Sequence, residues 1–299
     1  MSDTIFADEP VASPAQLGPW RYWPLRFVLF FSVLIGVYLG CRLLPVLVKP
    51  YLSFLPSYVR SIVFAVLGIA ILITLYRQLV CWTEKRAAAE LSATGVFPSL
   101  LGGAAIGFVL FCAVIAALTA YGAASIKGIA GYDALINAAA GALIAAVGEE
   151  IALRGGVYRL LEEGFGSLLA IVITGALFGL LHAPNPGATT ASTLAIMLES
   201  GILLAAAYVL TRSLWFPIGL HFGWNFTEGG IFGASVSGGK SHGLLASSFA
   251  GPAWLTGGKF GPEASVPAVI ICLITSVILL VLAMRRGEWK PLRFRFATG

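Results

Sequence analysis

Four stretches of this chain, 27–48, 61–82, 101–122 and 266–284, each run about twenty residues with at most one charged side chain. A helix crosses the hydrocarbon of a bilayer in about 20 apolar residues. A segment surrounded by lipid must satisfy its own backbone hydrogen bonds, so runs of this kind fold as helices. Composition closes the alternatives. The chain is 58% hydrophobic and 11% charged with a mean hydropathy of +0.90, whereas a water-facing domain carries about 25% charge. A soluble globule, a disordered chain, a disulfide-stapled secreted fold and a coiled coil are excluded. The expected fold is all-α, a polytopic membrane protein.

Charge placement orders the chain. Residues 1–26 form a polar tail holding Asp3, Asp8 and Glu9; without a basic start, it does not read as a cleavable signal. Residues 27–284 read as one membrane domain, and 285–299 as a basic tail. The net charge of +5 does not indicate nucleic acid, because Arg285, Arg286, Lys290, Arg293 and Arg295 directly follow the last apolar run. The four cysteines, Cys41, Cys81, Cys112 and Cys272, sit in or at the end of apolar runs without a CxxC pair, so they read as packing residues.

The middle of the chain adds four less uniform segments, 134–160, 167–183, 190–211 and 213–228, for about eight helices in all. The stretch 229–265, with ten glycines, reads as an irregular loop outside the membrane. The polar stretch 83–98 reads as a partly amphipathic helix at the interface. An even helix number places both termini on one side. That side holds 13 of the 19 basic residues, so the expectation is cytoplasmic termini in a cell (plasma or inner) membrane. The Ala-, Gly- and Arg-rich usage points to a bacterial chain.

Charge inside a membrane costs about 2.5–3.5 kcal/mol per group on insertion scales, so each such residue needs a reason. Glu149, Glu150, Arg154, His182, Glu199 and His221 all fall within apolar segments, while His242 sits unremarkably in the glycine-rich loop. Neighbouring residues on a helix point about 100° apart. Arg154 follows Glu150 at the i,i+4 spacing of an ion pair, which leaves Glu149 free to face a cavity. Phe178 and His182 share a face by the same spacing, and so do His221 and Asn225. Counting from a turn near 161–167 places Glu149 and His182 at about the same depth, within a helical turn, with His221 shallower. Glu199 has no assigned partner; lining the cavity, pairing with Arg212 and holding a water all remain open.

A carboxylate in an apolar cavity is a competent general base near neutral pH, and a nearby histidine can help polarise a water. An imidazole and a carboxamide on one face can together donate to an oxyanion. Neither GxSxG nor HExxH occurs, which disfavours serine and conventional zinc hydrolysis.

Glu149-Glu150-x-x-x-Arg154, Phe178-x-x-x-His182 and His221-x-x-x-Asn225, in that order over about residues 134–240, resemble the three motifs of the CPBP family. That family comprises type II CAAX prenyl endopeptidases and bacteriocin-processing or immunity proteins. The flanking Ser213-Leu214-Trp215 and Trp224-Asn225-Phe226 agree with it. The resemblance implies an intramembrane glutamic endopeptidase with a conical cavity. Glu149 and His182 would activate water, His221 and Asn225 would hold the oxyanion, and Glu150, Arg154 and Phe178 would support them. Glu149, His182 and His221 could also supply a His₂Glu zinc site, but the chemistry stands without an ion, so no cofactor is expected. The implied partners are a membrane-associated peptide or protein substrate and the bilayer. Two other classes compete: a catalytically silent scaffold or immunity factor, and a transporter with Glu149, Glu150 and Glu199 as a proton relay.

Overall fold

The computed structural model describes residues 14–297; the first acidic residues of the N-terminal tail lie outside them. Among the described residues eight helices exceed ten residues: α1 (Trp23–Val48), α2 (Ser57–Glu84), α3 (Val96–Ala120), α4 (Leu135–Phe165), α5 (Ser167–His182), α6 (Thr190–Thr211), α7 (Trp215–Asn225) and α8 (Val266–Arg285). Six of them, all but α5 and α7, are long and apolar enough to cross a membrane. The two shorter helices are the ones that carry His182 and His221.

Lipid-facing and core-facing residues divide the long helices. Val28, Val46, Val109, Ile274 and Val277 are more than half exposed, while Leu34, Leu72, Phe111 and Val114 are fully buried. Exposed aromatics gather at the two ends, with Tyr51, Phe54 and Tyr121 at one and Trp82 and Phe97 at the other. This is the pattern of side chains anchored at two membrane–water interfaces.

The first and last described segments meet at one face. Trp23 Nε1 donates to the Arg295 carbonyl at 2.6 Å, and Tyr22 pairs with Ala297 as an antiparallel bridge. The basic tail docks there as well: Ser167 N–H donates to the Lys290 carbonyl, and Lys290 Nζ lies 3.0 Å from Glu162.

The polar stretch near residue 90 differs from expectation. It forms no amphipathic helix: α2 runs to Glu84, a single 3₁₀ turn covers Ala89–Leu91, and α3 starts at Val96. Its carboxylates are buried because two other helices bring guanidiniums to them. Glu84 takes Arg159 at 2.5 Å, Arg86 at 2.8 Å and Arg26 at 3.7 Å, and Glu90 takes Arg86 at 3.0 Å and Arg159 at 3.5 Å. Burial alone would raise the Glu90 pKa, but the Arg159 and Arg86 cations and the hydrogen bonds from Arg86 and Tyr76 outweigh it and hold it at about 2.

The opposite face carries the glycine-rich segment, which is more ordered than its composition suggests. Its Leu245–Phe249 pairs antiparallel with Ala124–Ile129, a two-stranded ribbon that the sequence reading does not contain. Glu263 in this segment and Glu228 just before it are buried side by side. The Glu263 N–H donates to Glu228 Oε1 at 3.3 Å, and the Ser237 N–H donates to Glu263 Oε1 at 2.5 Å.

Candidate functional site

Glycine contacts set the orientation of α7. A Cβ on Gly103 would stand 2.3 Å from the Phe216 carbonyl oxygen, and one on Gly107 2.2 Å from that of Leu220. From the other helix, Cβ atoms on Gly219 and Gly223 would strike the Leu100 and Ala104 carbonyls at 2.3 and 2.2 Å. Only paired small-xxx-small faces allow α3 and α7 this close. His221 and Asn225 each lie two residues beyond one of those α7 glycines, about 200° around the helix, and so project away from α3. They face the cavity. The start of α7 is itself roofed by the 86–95 connection, since Leu214 N–H donates to the Glu90 carbonyl and Trp215 Nε1 to that of Ser92. The helix therefore begins below the surface, and His221 is not shallower than Glu149. This corrects the depth read from residue counting.

The three motif elements come together. Glu149 Oε2 lies 3.9 Å from His182 Nε2 and 3.9 Å from His221 Nε2. Arg154 Nη1 donates to Glu150 Oε1 at 2.9 Å, and the His221 Nδ1–H donates to the same oxygen at 3.0 Å. The other terminal nitrogen of Arg154 donates to the carbonyls of Ser200 and Gly201 at 3.1 and 3.2 Å. His182 Nδ1–H donates to the Phe178 carbonyl at 2.8 Å. With both Nδ1 atoms facing acceptors, each neutral ring keeps its hydrogen there and presents a lone pair at Nε2. Phe178 is the wedge between these groups: its ring stacks on His182 at 4.7 Å, meets His221 edge-on at 6.1 Å and lies 4.8 Å from the Arg154 guanidinium carbon.

Three helices pass the site in a widened π conformation, over Ile151–Tyr158 after the glutamate pair, Met197–Gly201 where Arg154 finds its carbonyls, and Phe226–Ile231 after Asn225. Such segments are frequent at functional sites.

A cavity of about 950 Å³ joins these residues. Glu149, His182, His221 and Asn225 line its deep part, with Tyr38 and Arg42 of α1 beside them. Its outer lining includes Asn185 after α5, Lys240 and also His242, which the sequence had left unremarked in the loop. All of these outer residues belong to the face opposite the chain ends.

The expectation for Glu199 changes. Glu199 is not among the residues lining this cavity and does not meet Arg212, whose partners are Glu162 at 2.5 Å and Glu288 at 3.1 Å. Glu199 is fully buried, accepting from the Ser200 hydroxyl and from Cys272 Sγ at 3.6 Å. Glu149, His182 and His221 stand wider apart than the ligands of a tetrahedral zinc ion. Neighbouring ligand atoms around tetrahedral zinc stand about 3.3 Å apart, whereas both nitrogens here are 3.9 Å from the carboxylate. Among the described residues no group of three or more His, Cys, Asp or Glu side chains is arranged to hold a metal ion.

Sequence reasoning missed Tyr38 and Arg42. Tyr38 Oη donates to Glu149 Oε1 at 2.7 Å, and Arg42 Nη1 donates to Tyr38 Oη at 3.2 Å. The available signal was an i,i+4 Tyr–Arg pair inside an otherwise apolar run.

Comparison with known proteins adds one finding. Residues 131–227 match the family model described as Type II CAAX prenyl endopeptidase Rce1-like. The matched stretch contains Glu149, His182, His221 and Asn225 but not Tyr38 or Arg42. No curated protein and no solved structure matches the chain.

Proposed function

We propose, from the likeness of residues 131–227 to type II CAAX prenyl endopeptidases, that this multi-pass membrane protein is an intramembrane endopeptidase whose base is Glu149. One observation carries the reading: Glu149 Oε2 is buried, has no hydrogen-bond partner, and faces two imidazole Nε2 atoms at 3.9 Å. That separation is too long for a direct hydrogen bond and suits one water that donates one hydrogen to Glu149 Oε2 and the other to His182 Nε2, beside His221 Nε2.

A water held there gives a proton to Glu149 as its oxygen attacks the scissile carbonyl, with His182 Nε2 accepting its second hydrogen bond. The oxyanion that forms needs donors. Asn225 supplies a carboxamide N–H, and His221 donates from Nε2 after taking up a proton there from bulk solvent before the substrate binds, a proton it keeps through the cycle. The Glu150 carboxylate on Nδ1 steadies the resulting imidazolium and holds the ring in place, and Arg154 in turn holds Glu150. Glu149 then returns its proton to the leaving amine. No step requires a metal ion.

The basic bias supports cytoplasmic chain ends, and with that orientation the cavity mouth would open on the extracytoplasmic side. The fitting substrate is then a membrane-associated peptide presented from that side.

The test compares membrane peptide profiles of cells making the unaltered protein with those making Glu149→Gln. The expected result is a set of cleaved peptides lost in the variant, although it is made and inserted normally. Identical profiles from the two proteins would leave the silent scaffold standing instead.

A further inference from the structure

Tyr38 lies on α1, 111 residues from the glutamate it touches and outside the matched stretch. The direction of its hydrogen bonds is fixed by its neighbours. A guanidinium can only donate, so the Arg42 contact at 3.2 Å occupies a lone pair of the phenol oxygen. The single phenol hydrogen is then committed to Glu149 Oε1 at 2.7 Å. The approach is built into the backbone as well: a Cβ at Gly148 would stand 2.2 Å from Tyr38 Cδ2, so only glycine before Glu149 admits the ring. Tyr38 is 7% exposed.

We infer that Tyr38 is a positioning residue for the proposed hydrolysis: by tying down Oε1 it fixes the carboxylate plane and leaves Oε2 as the oxygen that meets water, and Arg42 acts through it. The inference rests on the endopeptidase reading. Without the tie the carboxylate can turn about its last bond, carrying Oε2 away from the two histidines. Misplacement by about 1 Å costs roughly 100-fold in rate.

The experiment uses the full-length protein in liposomes and, as probe, a pool of quenched fluorogenic peptides carrying a C-terminal farnesyl or acyl anchor. Tyr38→Phe keeps the ring and removes only the hydroxyl. Its kcat should fall about 10- to 100-fold with KM within about twofold and an unchanged melting temperature. Arg42→Gln should lower kcat in the unaltered protein yet add nothing in the Tyr38→Phe background, because both act on one chain of bonds. A substrate-free readout is the infrared difference between the unaltered protein and Glu149→Gln, which isolates the Glu149 carboxylate bands; these should shift in Tyr38→Phe. Full kcat with unshifted bands overturns the inference. So does a loss of activity matched by a lower melting temperature with unshifted bands, which marks a purely structural role. The two failures are separable: a Glu149→Gln protein that still cleaves sinks the endopeptidase reading itself, whereas a dead Glu149→Gln beside a fully active Tyr38→Phe sinks only the inference about Tyr38.

Discussion

Replacing Glu150 with Gln keeps the shape of the side chain and removes its charge. The oxygen that accepts from Arg154 and His221 can stay where it is, and the new amide group takes the place of Oε2, which has no partner. What changes is that Arg154, fully buried, loses its counter-ion. Removing one partner of a buried ion pair costs about 3–5 kcal/mol. Arg154 keeps two carbonyl acceptors and the face of Phe178, so the lower end, about 3 kcal/mol, applies. An unfolding entropy of about 2.1 cal/mol/K per residue over 299 residues converts this to a fall in melting temperature of about 5 °C. Cleavage should weaken as well, because His221 loses the anion that steadies its protonated form. The double variant Glu150→Leu/Arg154→Met should recover part of the melting temperature, because apolar residues of similar volume often match or exceed a buried pair. It should stay inactive, since nothing then holds the His221 ring. Thermal unfolding in detergent measured alongside peptide cleavage reads both effects. A Glu150→Gln protein that melts with the unaltered one, or a double variant that recovers nothing, would refute the argument.

Thorough chelation should leave peptide cleavage intact; loss of activity restored by zinc would instead establish a metal at Glu149, His182 and His221. Reporter fusions at the C-terminus and within 229–265 should report opposite sides of the membrane, with the C-terminus cytoplasmic, and agreement between the two would undo the topology. Stability should depend on pH with two opposite signs. Burial raises the Glu263 pKa above the ordinary 4.5, so the fold holds a proton that the unfolded chain releases; its contribution is complete below 4.5 and declines as pH rises through the raised pKa, and Glu263→Gln should flatten that slope in unfolding titrations. Glu90 runs the other way: its contribution is present above 4.5 and is lost as pH falls toward about 2, so Glu90→Gln should abolish that acid-side slope.

What was legible in the sequence follows from how far apart the partners are in the chain. Glu150 with Arg154 and Phe178 with His182 are one helical turn apart, so spacing alone places them together, and the contacts form at 2.9 Å and 4.7 Å. The helical, membrane-spanning character was legible for the same reason, because each apolar run states its own environment. Convergence of the elements is a different matter. The depth of His221 depends on where α7 begins, and that is set by the Glu90 and Ser92 carbonyls of a connection more than a hundred residues upstream. The polar stretch around Glu84 and Glu90 looked amphipathic because a sequence does not show that Arg26 and Arg159 converge on it from two other helices. Tyr38 is the sharpest case. A tyrosine at the interior of an apolar run reads as packing, and its role appears only when Gly148 is seen to make room for the ring. A small residue beside an intramembrane charge is therefore a signal in its own right: its missing side chain marks where another helix sends a group to meet that charge.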